Sequence, residues 1–217
     1  DWKRETDRLA KGLIAYGVEP GDRVAVWMVN RPEWLVIMFA IAKVGACIVP
    51  RNTRYRTDDL AYTLAQSRSS LLISVGKAGP VDYRAMLADA MPDIGQGSDD
   101  ALELETFPEL RRIVFLGDER LPNTTSWDDM LVAGGAVSGP DLQARADSVN
   151  PDSLLMIGYT SGTTGHPKGV MQGHIVIRNV HERTQLLGMS FEDVHLNYLP
   201  MFHLYGYSEL AMISVIS

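Results

Sequence analysis

The sequence has few of the features that would place the chain in a specialised class of protein. Its 217 residues include a single cysteine, Cys47, which excludes an internal disulfide and makes a reducing, cytoplasmic setting the simplest expectation. No apolar run reaches the roughly 20 residues that cross a bilayer. The best run extends from Trp34 to Ala42 and stops at Lys43. We therefore expect no integral membrane segment.

The chain has fewer positive than negative side chains, but one stretch has no negative side chain at all. The formal net charge of −7 and a pI near 5.2 argue against nucleic acid or an anionic membrane surface as a general partner. Between Ser153 and His181, however, the chain has no aspartate or glutamate. A local binding site for an anion is therefore favoured in this part of an acidic chain.

The sequence lacks a cluster of metal ligands. His174 and His181 are seven residues apart, which places them about two turns from each other on a helix. Neither these residues nor His195 have a neighbouring cysteine or carboxylate cluster. We therefore predict no metal site built from protein side chains. The chain also has no internal repeats and no coiled-coil heptads.

Hydrophobic patterning predicts strands that alternate with helices. This alternation indicates an α/β fold with a mostly parallel sheet and helices on both faces. Thr57, followed by Asp58 and Asp59, is expected to cap a helix. Predicted strands cover residues 24–29, 46–49, 71–75, 112–116, 154–159 and 194–199, and predicted helices cover 2–16, 33–44, 57–66, 81–91, 127–132, 174–187 and the apolar segment from 208. Residues 93–100 and 133–140 are predicted to be exposed loops.

Residues 159–169 have the composition of a phosphate-binding loop. They follow an apolar run and precede an amphipathic stretch, so we expect them to join a strand to a helix, where an anion can bind. Three glycines let backbone N–H groups approach an anion, hydroxyls can donate to phosphate oxygens, and Lys168 supplies a positive charge. The glycines are Gly162, Gly165 and Gly169, and the hydroxyl residues are Thr160, Ser161, Thr163 and Thr164.

The loop does not match the two common nucleotide fingerprints. A Walker loop requires lysine followed by serine or threonine, whereas Lys168 is followed by Gly169. The dinucleotide fingerprint requires one residue between its first glycines, whereas two threonines separate Gly162 from Gly165. On composition alone, a flexible Ser/Thr/Gly turn stopped by Pro167 is the alternative interpretation.

Residues 159–170, with the sequence YTSGTTGHPKGV, resemble the phosphate-binding signature of the adenylate-forming, or AMP-binding, superfamily. This superfamily comprises acyl- and aryl-CoA synthetases, peptide-synthetase adenylation domains and beetle luciferases. Residues 18–26, 43–55 and 199–206 resemble further motifs of the family in the same order, so the resemblance spans nearly the whole chain. The run MFHLY at 201–205 is similar to that of CoA ligases for aryl and fatty acids.

The resemblance implies an incomplete large N-terminal domain built from two sheets. Residues 1–49 and 188–217 would form one α/β subdomain, residues 50–187 would form a second, and the C-terminal domain would be absent. The implied reaction is ATP-dependent activation of a carboxylic acid to an acyl adenylate, followed by thioester formation with CoA. ATP, Mg²⁺ and CoA are the implied cofactor and co-substrates. Because several motifs of the family would lie beyond residue 217, we expect the chain alone to bind nucleotide weakly and not to complete catalysis.

The resemblance also implies roles for individual residues. Lys168 would contact the β- and γ-phosphates of ATP. His203 would lie beside the substrate carboxylate, where it would act in catalysis and binding, and Tyr205 would wall the substrate pocket. The phosphate cradle would comprise Thr160, Ser161, Gly162, Thr163, Thr164 and Gly165.

Some interpretations of single residues stay open. A histidine between Phe202 and Leu204 would also suit a buried core position. His166 occupies a position that the family leaves variable, and it is assigned no role. A solvated basic loop is predicted for Arg51, Arg54 and Arg56.

Two other functions stay open at this point. The chain could be a non-catalytic module that binds a nucleotide or another anion, or a remnant of an enzyme. It could also be part of a peptide-synthetase adenylation domain, whose acceptor is a carrier-protein thiol. Retention of the whole loop together with Lys168 favours an enzyme.

Overall fold

Strands and helices alternate along the chain, as the hydrophobic pattern predicts. The computed structural model describes residues 1–95, 102–160 and 165–216. The strands are β1 (Arg23–Trp27), β2 (Cys47–Pro50), β3 (Leu71–Val75), β4 (Lys77–Ala78), β5 (Val81–Asp82), β6 (Arg112–Leu116), β7 (Thr125–Ser126), β8 (Leu154–Thr160) and β9 (Lys168–Gly173). The helices are α1 (Trp2–Ala15), α2 (Glu33–Lys43), α3 (Thr57–Ser67), α4 (Tyr83–Ala90), α5 (Trp127–Ala133), α6 (Gly139–Asp147), α7 (Ile175–Leu186) and α8 (Ile213–Ile216), with a 3₁₀ turn (Gly134–Ala136) and a π-helix (Tyr205–Met212).

Seven strands form one sheet in the order β7, β6, β3, β1, β2, β8 and β9. Neighbouring strands are parallel except β8 and β9, which pair antiparallel at one edge. The central strands β2 and β3 are buried along their whole length, as expected where helices cover both faces. The predicted α/β fold with a mostly parallel sheet is confirmed.

The sheet joins parts of the chain that were expected to lie in separate sheets. β1 bonds to β3, and β2 bonds to β8. Residues 1–49 and 50–187 therefore share one sheet in this structure, because backbone pairing crosses the expected boundary. The grouping of residues 188–217 with the first part stays a prediction.

Two helix starts differ from the sequence-based prediction. Thr57 is the first residue of α3 and not its cap, because the backbone turns into the helix at Arg56, which has no side-chain capping bond. The predicted loop 133–140 contains the 3₁₀ turn and the start of α6. Ser138 caps α6, since its hydroxyl accepts from the Asp141 backbone N–H at 3.1 Å.

The predicted strand at residues 194–199 is wrong. These residues have no regular structure, and Val194, Leu196 and Tyr198 are 99%, 80% and 76% exposed. Their alternating apolar pattern is typical of a strand, but no strand among the described residues pairs with them. The helical segment expected near the end of the chain is present as the π-helix and α8.

The described part of the chain includes no helix long and apolar enough to cross a membrane. Cys47, the single cysteine, is buried and forms no disulfide. The cytoplasmic setting expected from it stays a prediction.

Candidate functional site

The predicted phosphate loop lies between two paired strands. β8 ends at Thr160 and β9 begins at Lys168, and these two residues are opposite each other in the antiparallel pair. The expectation that the loop leads directly into a helix is wrong, because a six-residue strand intervenes before α7. The strand pairing, and not a helix N-terminus, therefore positions the described ends of the loop.

Four residues predicted to form the phosphate cradle, Ser161, Gly162, Thr163 and Thr164, lie outside the described residues. Of the others, Thr160 is exposed, and its Oγ1 donates to the Lys168 carbonyl at 3.4 Å. Gly165 and Lys168 are also exposed. No carboxylate in the described part of the chain forms an ion pair with Lys168, so its ammonium group is open to an anionic ligand.

Helix α3 contacts the chain on both sides of the loop. The Tyr159 hydroxyl donates to the Thr63 carbonyl at 3.4 Å and to the Gln66 side chain. After the loop, the His166 ring stacks on Tyr62, with 4.2 Å between ring centroids and 18° between the planes. The sequence gives His166 no role, and this contact depends on the half-buried Tyr62 from a distant part of the chain.

Arg51 is buried, which contradicts the prediction that it belongs to a solvated loop. Its backbone N–H donates to the Val26 carbonyl at 2.8 Å and so extends the pairing of β2 with β1. The side chain consequently enters the interior, where Nη2 donates to the hydroxyls of Ser67 at 2.6 Å and Ser69 at 3.2 Å. Burial lowers the pKa of Arg51 to about 10. By contrast, Arg54 and Arg56 are exposed, as predicted.

His203 lies in a turn before the π-helix, and it does not follow a strand. Its backbone N–H donates to the Pro200 carbonyl at 3.0 Å, and its Nδ1 accepts from the Tyr205 backbone N–H at 3.3 Å. The side chain is exposed, so the alternative of a core histidine is wrong. Its Nε2 has no hydrogen-bond partner among the described residues and is available to a ligand.

Asn30 ties the segment before His203 to the end of β1. Its Nδ2 donates to the Leu199 carbonyl, and its Oδ1 accepts from the Met201 backbone N–H, each at 2.8 Å. These two bonds cross about 170 residues of chain and fix the backbone two residues before His203. Sequence reasoning missed Asn30, because nothing local links it to residue 201.

A cavity of about 370 Å³ lies where β2, β8 and the His203 turn meet. It is lined by Pro50, Asn52, Tyr55, Met156, Gly158, Tyr159, Thr160, Val170, Gln172, Phe202, His203 and Leu204. The carboxyl ends of parallel strands are the usual place for ligands in an α/β sheet. The structure therefore brings Thr160 and His203 to one cavity, whereas Lys168 and Tyr205 do not line it.

A second cavity of about 560 Å³ adjoins the first. It shares Asn52, Phe202 and His203 with the first cavity and adds Asn30 and Arg54.

Two tyrosines that line the first cavity have raised pKa values. Burial raises the pKa of Tyr55 to about 12 and also raises the pKa of Tyr159. Both phenols that line the first cavity are therefore neutral at pH 7, and the Tyr159 hydroxyl already donates to residues of α3.

No group of three or more His, Cys, Asp or Glu side chains in the described ranges could hold a metal ion. The Mg²⁺ that the family resemblance implies therefore finds no set of protein ligands in this part of the chain.

A family profile described as AMP-binding enzyme matches residues 1–216. The curated relatives include YngI of Bacillus subtilis strain 168, a protein named as an acyl-CoA synthetase. It is 35% identical over 198 residues, which cover 91% of this chain and 36% of that protein. The rat mitochondrial medium-chain acyl-CoA ligase ACSF2 is 28% identical over 99% of this chain and 36% of its own length.

Solved structures of similar fold include the anthranilate CoA ligase AuaEII in complex with anthranoyl-AMP. Its TM-score is 0.79 at 20% identity, over 99% of this chain and 37% of that one. The chain thus spans about a third of the length of the curated relatives that it matches. The profile match extends over almost every residue of the chain. The chain belongs to the AMP-binding enzyme family.

Proposed function

We propose that the complete protein containing this chain is an AMP-forming acid–CoA ligase. It would convert a carboxylic acid to an acyl adenylate and then to a CoA thioester. The observation that carries the proposal is the cavity shared by Thr160, at one end of the phosphate loop, and His203. The names of relatives that act as acyl-CoA ligases support the reaction type.

The first step would join a carboxylate oxygen to the α-phosphorus of ATP and release pyrophosphate. In the second step, a thiolate sulfur would attack the acyl carbon, and AMP would leave with the electron pair of the broken C–O bond. Both steps build up charge on oxygen atoms. The work of this chain would therefore be to position the reactants and to place donors and positive charge near those oxygens.

Lys168 would supply positive charge to the β- and γ-phosphates. Its exposed ammonium has a flexible stem, which can follow pyrophosphate as it leaves. Thr160 would donate its hydroxyl to a phosphate oxygen, together with the cradle residues 161–165. Mg²⁺, when bound with ATP, would supply further positive charge to the phosphate oxygens.

His203 would contact the substrate carboxylate in the cavity and orient it towards the phosphate. Its Nδ1 accepts a hydrogen bond from the Tyr205 backbone N–H, which leaves Nε2 for the ligand. Tyr205 is 56% exposed and would wall the pocket only with residues from outside this chain. Because the pocket would need those further residues, we propose that the 217-residue chain alone does not complete catalysis.

Pyrophosphate exchange by the complete protein tests the proposal. Exchange should require both ATP and an acid, when short-chain, long-chain and aromatic acids are compared. Lys168→Ala should lower kcat/KM for exchange by roughly 100-fold, the size typical of losing a donor to developing charge. Lys3→Ala is the matched control, because Lys3 lies on α1 in an exposed ion pair with Asp7 and should have no effect.

Other outcomes would distinguish the alternatives. If a folded complete protein shows no exchange with any acid, a non-catalytic nucleotide-binding module becomes the better explanation. If exchange occurs but CoA is not consumed, a carrier-protein thiol is the acceptor, as in peptide-synthetase adenylation domains. Equal exchange by wild type and Lys168→Ala would contradict the role of Lys168 while leaving the reaction in place.

A further inference from the structure

Arg51 is a fully buried cation that has no acidic partner in the part of the chain that the structure describes. Its side chain is 0% exposed, and Nε and Nη1 make no hydrogen bond there. Nη2 donates to the neutral hydroxyls of Ser67 and Ser69, and the phenol of Tyr159, which is also neutral, lies beside the guanidinium. Burial lowers the pKa of Arg51 to about 10, so the side chain still carries its proton at pH 7. A fixed positive charge therefore lies in the interior without a counter-charge.

Packing alone does not explain this charge. Burial of an unpaired guanidinium is costly, because two hydroxyls replace only part of its hydration. An apolar side chain of similar volume usually fills such a space at lower cost. A ligand of opposite charge nearby would offset this cost.

The charge lies directly behind the first cavity. Arg51 Cζ is 5.2 Å from the centre of the Tyr159 ring, and Tyr159 lines the cavity. The sequence neighbours of Arg51, Pro50 and Asn52, line it as well. A charge in the protein interior acts on a nearby ligand more strongly than a solvated charge at the same distance, because less water screens it.

We propose that Arg51 is a specificity-determining residue that makes this cavity select a carboxylate over a neutral ligand of the same shape. The inference rests on the proposed function, which brings a carboxylic acid into the cavity. Arg51 does not touch the ligand. It acts across the Tyr159 ring, which it also holds by a cation–π contact. Arg51 is therefore a positioning residue, and the bound carboxylate supplies the missing negative charge.

Binding of matched pairs of acid and amide to the complete protein tests this inference. The probes are octanoate with octanamide and benzoate with benzamide, measured by titration calorimetry in wild type and in Arg51→Met, Arg51→Gln and Arg51→Lys. The readout is the ratio of affinity for the acid to affinity for its amide. This ratio isolates the charge, because each pair has nearly the same shape. Arg56→Met is the matched control, since it removes an exposed positive charge five residues away.

We expect Arg51→Met and Arg51→Gln to lower the acid-to-amide ratio roughly tenfold, because each removes one positive charge that little water screens. Arg51→Lys should keep most of the ratio, and Arg56→Met should leave it unchanged. Amide affinity should change little in all four variants. Gln serves as the second neutral variant because it can still donate to Ser67 and Ser69 if Met prevents folding.

Three results would overturn the inference: an unchanged ratio in a folded neutral variant, no preference for acid in wild type, or unfolding of both neutral variants while Arg51→Lys folds. The last result would mean that the charge serves stability alone. Because binding is measured without ATP, the test does not depend on the exchange assay. A protein that exchanges pyrophosphate but shows no effect of Arg51 contradicts only this inference, whereas loss of exchange with the Arg51 effect intact contradicts the proposed function.

Discussion

At the scale of single residues, Asn30 gives a prediction about His203. Its side chain makes two 2.8 Å hydrogen bonds to the backbone at Leu199 and Met201, and removal of either bond frees the turn that carries His203. In the complete protein, Asn30→Ala should raise KM for the acid in pyrophosphate exchange about tenfold, while KM for ATP stays close to wild type. The expected loss is that of one or two hydrogen bonds to the backbone, each contributing about 1 kcal/mol.

The control for Asn30 separates positioning from general damage to the fold. The Asn150 side chain makes one local hydrogen bond on a turn before β8, where its Oδ1 accepts from the Asp152 backbone N–H at 2.9 Å. Asn150→Ala should therefore change stability but not the KM for the acid. If both variants raise both KM values equally, Asn30 contributes to folding and has no specific effect on His203.

At the scale of elements, α6 yields a prediction about its cap. The Ser138 hydroxyl accepts from the Asp141 N–H and donates to the Asp141 carboxylate at 2.6 Å. Ser138→Ala should lower the free energy of unfolding by about 1 kcal/mol, as is typical for loss of a helix N-cap. Ser138→Thr keeps the hydroxyl and should stay near wild type. Urea unfolding of both variants measures the difference, and equal midpoints for Ala and wild type would show that the cap has no net effect.

The elements also show where sequence reasoning succeeds. Strands β3 and β6 were predicted at their observed bounds, because a short apolar run between turn signals identifies a strand buried on both faces. Helix α6 was missed, although Ser138 followed by Pro140 and Asp141 is a helix-start pattern, because the surrounding glycines suggested a loop. Local sequence patterns were therefore sufficient to predict the core strands. At α6, a helix-start pattern and a loop-like composition conflicted, and the helix was missed.

Pairing between distant segments explains the remaining errors. β9 has few strand-forming residues, and it is a strand because β8 offers it a partner. Residues 194–199 have the alternating pattern of a strand but no partner among the described residues. The site follows the same rule, since the motif predicted Thr160 and His203, whereas Asn30 and Arg51 depend on contacts between distant parts of the chain. No local pattern could have predicted the burial of Arg51.

At the scale of the whole molecule, ion pairs between distant segments predict how stability depends on pH. Asp7 on α1 lies 2.5 Å from the Lys43 ammonium on α2. Burial raises the pKa of Asp7, but hydrogen bonds and charge from Lys3 and Lys43 outweigh it and lower the pKa overall. Arg68 likewise lowers the pKa of Glu109. These carboxyl groups hold fewer protons folded than unfolded, so stability is present above the unfolded pKa of about 4 and is lost as pH falls through the folded pKa.

The Tm of the complete protein should therefore fall below about pH 4, where these carboxyl groups take up protons. Burial also lowers the pKa of His174, so a smaller loss of stability should begin as the pH falls below about 6.5. Asp7→Asn removes one of the groups that titrate, so this variant should melt below wild type at pH 7, and the gap should close as the pH drops under 4. The expected gap is small, because Asp7 and Lys43 are both partly exposed and water screens the pair. If the difference in Tm between the two proteins stays the same from pH 7 to pH 3, the charge on Asp7 does not contribute to stability. The contact between α1 and α2 would then stabilise the fold through packing alone.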